Sequence, residues 1–505
     1  MESLNLSKEG ISVIASDNTI THEVSEEFIL PDYIPEIRKL LTCKAQVLPE
    51  SRYVSEKDVQ GSGSITYHLI YTDDEGNLCG TPLSSSYEVQ VPISPDSKTV
   101  LLDTVIESTQ PRVNGPRRIS VRSRLKSRAL CLKNKEISEN ITPKSSADEM
   151  FLQRQRAEID TFDIYEASLD GIKISDQFDM KDLKEARPLW CDAIATIKDY
   201  KVRDRGISVR GDAYVKCICQ GENGIFTLSK QVPIAEEIEC ESARERDCAR
   251  VEIRCVSLSI SNEQSLDAPQ LFFDLCCEIR AEVLRKRRVE VTTDCYSTKC
   301  ESAVAYTDLE SYEGVKMQQA SFTLTERVKR KNNDADIIID QIVNPICEKI
   351  EARGEALHLA GKLYTSIIAR GKQDENGQGE YLCDSYEIPF KYDLDLPKPV
   401  NNSVVRVVTS ASRPSARYDD GGMHISCEIY FGIMLLEKNK TRVIDNATLL
   451  KDQEVKNDAS VVKVYFPKNG DTLWEIAKKY HTTTAKLESE NDLLEGDTLS
   501  KPIIV

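Results

Sequence analysis

The 505-residue sequence predicts a mainly β fold: three repeated antiparallel β domains followed by a small α+β (βααβ) module. Three observations carry this. Polar and apolar residues alternate with a period of two over long stretches. Three similar strand-like stretches, VQGSGSITYHLIY around Gly61, VRGDAYVKCICQ around Gly211 and LAGKLYTSIIAR around Gly361, stand 150 residues apart. Near the end, NGDTLWEIAKKYHTTTAKL (469–487) changes to a helical period.

Each glycine-centred stretch is preceded by a segment with a cysteine (Cys43, Cys191, Cys347). Each is followed by a strand with a proline (Pro92, Pro233, Pro389). The pieces between, TDDEGNLCG, QGENG and DENGQGE, hold the Gly and Asn that hairpin turns use for positive φ. Each first half therefore reads as an antiparallel meander.

The second halves are VNGPRRISVRSRLKSRALCLKNKEI, DAPQLFFDLCCEIRAEVLRKRRVEV and DDGGMHISCEIYFGIMLLEKNKTRV. They read as two alternating strands around a basic turn, at Lys133-Asn134-Lys135, Arg285 to Arg288 and Lys438-Asn439-Lys440. In the first copy Val121, Leu125 and Ala129 share one face, and Arg122, Arg124, Lys126 and Arg128 the other. This basic stretch, 117–128, has two readings: a surface for an acidic partner, or a solvated face that discourages edge-to-edge pairing.

The units are drawn at residues 1–157, 158–304 and 305–450. A polar linker, 451–460, then reads as a flexible tether to the module at 461–505. In that module Asn469-Gly470 turns out of a strand, Thr472 caps a helix and Glu475 completes a capping box. Leu473, Ile476, Ala477 and Tyr480 make one apolar face. A second helix starts at Thr483 with Leu487 inward, Asn491 ends it in a left-handed conformation, and PIIV returns as a strand.

Lys+Arg of 66 against Asp+Glu of 83, a formal net charge of −17, argues against a nucleic-acid or anionic-membrane binder. The N-terminal residues lack a charged region followed by an apolar core, and no long apolar run predicts a transmembrane segment. The expected location is the cytoplasm. The 16 cysteines form no CxxC pair and the five histidines are scattered, so no metal and no cofactor is expected. HExxH, GxSxG and P-loop motifs are absent, which predicts no enzyme activity.

The C-terminal stretch resembles the LysM module. Lys468, Gly470, Asp471, Thr472, Leu473, Trp474, Ile476, Ala477, Lys479, Tyr480, Leu487 and Asn491 stand where its pattern asks, while Glu490 and the ending KPIIV depart from it. The resemblance implies a shallow groove for N-acetylglucosamine-containing glycan, peptidoglycan or chitin. Gly470, Asp471 and Thr472 would line one side, and Asn491, Asp492, Leu493 and Leu494 the other. The same surface suits a protein loop, and Asp471 and Asn491 also read as turn supports. Trp474 reads equally as core packing or as a surface contact.

FILPDYIPEIRKLLTCKAQV, followed by VQGSGSITYHLIYTDDEG, resembles the spore-coat-associated (SPOCS) domain through Pro31, Asp32, Pro35, Ile37 and Leu41, then Val59, Gly61, Ile65, Tyr67, Leu69 and Tyr71. Copies two and three keep the strand pattern without the Pro-Asp start. SPOCS units followed by one LysM module are the layout of clostridial-type spore envelope morphogenetic proteins. That resemblance implies a non-enzymatic scaffold made in the mother cell and collected on the forespore surface. Its partners would be spore coat or morphogenetic proteins, or peptidoglycan. The competing expectation is a glycan-binding protein without a spore role, such as a phage tail component.

Overall fold

The structure is a computed structural model. It describes residues 2–505 apart from 49, 180–185, 223, 265–268, 374–378, 397–398, 401, 456–461, 494–498 and 500. As the alternating patterns require, the described residues are mostly strand, gathered into antiparallel sheets, with helices near the C-terminus.

The first unit contains β1 (Glu2–Ser3), β2 (Asn5–Ile29), β3 (Lys39–Val47), β4 (Ser51–Val54), β5 (Asp58–Thr72), β6 (Leu78–Pro92), β7 (Thr99–Gly115) and β8 (Arg118–Thr142). A 3-10 turn, Ser146–Phe151, leads to β9 (Leu152–Gln177), β10 (Arg187–Arg203), β11 (Gly206–Gly221), β12 (Gly224–Glu239), β13 (Cys248–Gln264) and β14 (Pro269–Ser297). The third unit holds β15 (Cys300–Lys329), β16 (Ala335–Arg353), β17 (Ala356–Gly371), β18 (Tyr381–Asp395), β19 (Ser403–Asp419) and β20 (Gly422–Glu454). The module follows with β21 (Val464–Tyr465), α1 (Leu473–Lys479), α2 (Thr484–Asn491) and β22 (Ile503–Ile504).

The three units share one topology. A meander forms one sheet: β3-β5-β6 with β4 also on β5, then β10-β11-β12, then β16-β17-β18. The long opening and closing strands pair in a second sheet, β2-β8-β7, β9-β14-β13 and β15-β20-β19. The boundaries drawn at 157/158 and 304/305 fall inside β9 and β15. Of the 451–460 linker, 451–454 continue β20, and 456–460 lie outside the described residues.

Two of the repeated glycines answer to close backbone approach, whereas Gly61 faces the side chains of Leu102, Val89 and Glu50. A Cβ on Gly211 would run into the Thr196 carbonyl oxygen, and one on Gly361 into that of Ile346. Both face a register shift, Ile197/Asp199 and Cys347/Lys349, so the bulged partner strand presses against them. The prolines lie on the last strand of each meander, where a missing N–H breaks no inner ladder. Pro233 and Pro389 face the residues after those glycines, whereas Pro92 faces Asp58, at a different register.

The expected basic turns are not turns. β8, β14 and β20 run unbroken through residues 133–135, 285–288 and 438–440. The chain instead turns before each of β8 and β20, at residues 116–117 and 420–421. The cations remain extended because neighbouring strands supply acceptors: Lys135 reaches the Asp308 carbonyl oxygen at 3.2 Å, and Arg288 the Asp160 carboxylate at 3.2 Å.

Each unit has its own apolar core, and the units then close a ring. The last meander strand of each contacts the first of the next, β6 with β10, β12 with β16 and β18 with β3. A cluster with two residues from each unit, Ile70, Leu78, Trp190, Ile218, Ile342 and Ile368, fills the meander junction. The long strands share a second core that includes Leu130, Phe162, Leu284, Tyr312 and Met434. β3, β7, β10, β13, β16 and β19 line an open cavity of about 310 Å³.

Buried charges pin the ring. Arg250 bonds Glu282 at 2.9 Å and Asp103 at 3.3 Å, while Arg406 bonds Glu282 at 3.0 Å and Asp103 at 3.1 Å. One carboxylate comes from the first unit, one arginine from the third, and the remaining pair from the second. Burial opposes the charge on Asp103, but the two guanidiniums outweigh it and hold its carboxyl far below the ordinary range. Lys44 to Asp192 (2.5 Å) and Lys216 to Asp340 (2.7 Å) join first to second and second to third units.

Candidate functional site

The module is built as its sequence pattern requires. Thr472 Oγ1 accepts from the Glu475 amide at 3.2 Å, and Glu475 Oε2 accepts from the Thr472 amide at 3.1 Å, a complete capping box. Thr483 caps α2 by accepting from the Lys486 amide at 3.1 Å. Ile476, Ala477, Leu487 and Ile503 are buried together, and β22 pairs with β21.

The predicted groove residues divide by role. Gly470 (φ +100°) has open space where a Cβ would stand, so its turn needs glycine for conformation. Asp471 accepts from the Tyr465 hydroxyl at 2.7 Å and the Lys468 amide at 2.8 Å. Those bonds hold its carboxyl below the ordinary range. Asn491 donates to the carbonyl oxygens of Leu487 (2.8 Å) and Ile504 (2.9 Å) and accepts from the Ile504 amide (2.7 Å). It therefore stitches β22 to α2.

The left-handed residue is Asp492 (φ 50°, ψ 42°), not Asn491, which stays helical. The reason is the Asn491 side chain: its three bonds hold it in the last helical turn, and the next residue makes the exit. Leu493 is half-buried against the module core. Leu494 lies outside the described residues. Gly470, Thr472 and Asp492 remain exposed.

Far from swinging on a flexible tether, the module is seated on the units. Trp474 Nε1 donates to Asp294 Oδ2 at 2.8 Å, and Lys478 Nζ reaches the same carboxylate at 2.7 Å. Tyr306 donates its hydroxyl to Asp294 at 2.7 Å. The Tyr296 ring meets Trp474 edge-on, centroids 4.9 Å apart, and its hydroxyl donates to the Thr482 carbonyl oxygen at 2.7 Å. His481 (φ 49°) reaches the Ser297 carbonyl oxygen at 2.9 Å and Glu301 at 3.2 Å. Trp474 is thus a docking contact, and Tyr296 closes the module core from outside it.

Burial disfavours charge on Asp294, yet the bonds from Lys478, Trp474 and Tyr306 prevail and hold its carboxyl below the ordinary range. Sequence reading missed Asp294, Tyr296 and Tyr306, because a docking residue on an alternating strand looks like any other. Among the described groove residues, none contributes to the hydrogen bonds and ion pairs that hold the module to the units.

The basic face of β8 is solvated, and its cations pair with acids on the flanking strands of the same sheet. Arg122 pairs with Glu23 (3.8 Å), Arg124 with Glu107 (3.3 Å) and Arg128 with Asp17 (2.7 Å). β8 is the middle strand of its sheet, so protection of an edge is not its purpose. No helix among the described residues is long and apolar enough to cross a membrane.

No curated protein and no solved structure matches this chain. The family described as LysM domain matches residues 468–500. The C-terminal βααβ module is accordingly a LysM domain, which suggests binding of peptidoglycan or another N-acetylglucosamine-containing glycan.

Proposed function

We propose that this chain is a non-enzymatic assembly scaffold of the spore envelope that docks through its LysM domain to a coat morphogenetic protein or to peptidoglycan. The observation that carries the reading is the seating of the module: Trp474, Lys478 and His481 face the ring, while Gly470, Thr472 and Asp492 stay exposed. A fixed module presents its groove in a constant direction, as a scaffold needs and a mobile tether does not supply.

The spore assignment rests on the SPOCS-like first unit. Its Pro-Asp-x-x-Pro loop is pinned by Arg117, which donates to the carbonyl oxygens of Pro31 and Ile34, both at 2.9 Å. Tyr71 donates to the Pro35 carbonyl oxygen at 3.0 Å. The loop so fixed leaves Tyr33 85% exposed, a rigid aromatic suited to a protein contact. The chain then works in the mother-cell cytoplasm and collects on the forespore surface.

A second reading, favoured by the LysM match alone, is a glycan-binding protein without a spore role, such as a phage tail component. A fluorescent fusion in sporulating cells separates them. The scaffold gives a shell on the forespore, and a diffuse signal at all stages sinks it. Co-sedimentation of the full chain with insoluble peptidoglycan then reports the ligand. Pelleting that is lost in an Asp471→Ala variant shown to stay folded marks a wall tether, and no pelleting by the folded wild-type chain marks a protein-docking module.

A further inference from the structure

The second unit carries facing thiols on both of its sheets. Cys191 on β10 faces Cys217 on β11, with their Sγ atoms 3.1 Å apart. Cys219 places its Sγ 3.4 Å from that of Cys217. On the other sheet Cys255 faces Cys277. Among the described residues no other facing pair in the strand ladders is two cysteines.

Facing residues of antiparallel strands have Cα atoms about 4.5 to 5.5 Å apart, inside the span of a disulfide. Closing the 3.1 Å gap to the roughly 2.05 Å of an S–S bond needs only side-chain rotation. Two thiolates on one tetrahedral zinc, at about 2.3 Å each, stand about 3.8 Å apart. This pair is spaced for a bond between its sulfurs.

Cys191 is half-buried and Cys217 buried, so Cys191 is the more accessible of the two thiols. We propose that Cys191 and Cys217 form an oxidisable site that a low-molecular-weight disulfide, RSSR, converts to a cross-strand disulfide. The Cys191 thiol loses its proton and attacks one sulfur of RSSR; the S–S bond breaks and RSH leaves. Cys217 then loses its proton and attacks the Cys191 sulfur, expelling the second RSH. Two protein thiols are oxidised and one small disulfide is reduced. In the reduced protein, hydrogen bonding with Cys191 and Cys219, together with burial, holds the Cys217 thiol up.

The bond would lie directly behind both junctions of the unit. Asp192, beside Cys191, holds Lys44 of the first unit, and Lys216, beside Cys217, holds Asp340 of the third. Asp192 and Lys216 face each other across the same strand pair. Side chains alternate, so the thiols point into the core of the unit while the charges point to its neighbours. In a reducing compartment both thiols stay free. In oxidising surroundings the bond fixes the β10–β11 register from which both neighbours are held.

The test is to incubate the full-length chain with oxidised glutathione at mildly alkaline pH, alkylate the remaining thiols and map peptides by mass spectrometry. The expected product joins Cys191 to Cys217, is two hydrogens lighter than the reduced peptides together and disappears on reduction. Cys217→Ser is expected to retain glutathione on Cys191. Both thiols alkylated in the folded wild type, a persistent mixed disulfide on wild-type Cys191, or a Cys217–Cys219 link would each overturn the proposal. The wild-type map decides the matter even if the variant does not fold.

Discussion

Trp474 donates its indole N–H to the carboxylate of Asp294 at 2.8 Å, across 180 residues of sequence. The same carboxylate accepts from Lys478 and Tyr306, so one side chain of the second unit organises the seat of the LysM domain. Its removal leaves a lysine, an indole and a phenol without their shared acceptor.

Asp294→Ala is expected to weaken docking by roughly 2 kcal/mol, in keeping with lost hydrogen bonds to a charged group. The chain has two tryptophans, so in a Trp190→Phe background Trp474 reports alone. Its emission should shift to the red on release; unchanged emission would mean that Tyr296 and His481 hold the module without Asp294.

Docking should respond to acid. The folded-state pKa of Asp294 lies below its unfolded value, so its contribution is complete above the ordinary carboxylate range and is lost as pH falls through the depressed value. The raised pKa of Lys478, whose bond to Asp294 outweighs burial, extends the contribution upward until pH rises through that value. A titration of Trp474 emission should therefore be flat across neutral pH and break in acid, and the acid break should vanish in Asp294→Asn.

Two groove variants separate binding from folding. Asn491→Ala removes three bonds that join α2 to β22 and should cost the module about 2 kcal/mol. Thr472→Ala removes half of the capping box and should cost about 1 kcal/mol. Glycan binding measured on each at a temperature where circular dichroism shows it folded reports the groove itself. Loss of binding that merely follows unfolding would make both residues structural.

Arg406→Ala leaves Glu282 and Asp103 with one guanidinium between them in a buried site and should destabilise the ring by about 3 to 5 kcal/mol. Denaturant melts would show it as a lower midpoint. An effect below about 1 kcal/mol would indicate that water replaces the arginine at this junction.

Gly211→Ala should cost about 2 kcal/mol, since its Cβ meets the Thr196 carbonyl and the strand must shift. Gly115→Ala, where a Cβ meets nothing within 4 Å, is the matched control and should melt near wild type.

The sequence by itself determined the features that local physics writes: alternation every second residue, a strand-like stretch that recurs around three glycines 150 residues apart, and a capping box with its apolar face. It misplaced the basic segments as turns, because a run of cations looks like an exposed loop until acids on neighbouring strands come to face it. It read residue 491 as the left-handed exit, because the Ile504 backbone that holds Asn491 in the helix comes from the far end of the module. Only the tertiary structure decided that the three units close a ring, that Asp103 and Arg406 meet inside it, and that Trp474 rests on Asp294. Each of these contacts joins residues more than 100 positions apart, and nothing periodic in the chain marks which carboxylate a distant arginine, lysine or indole will find.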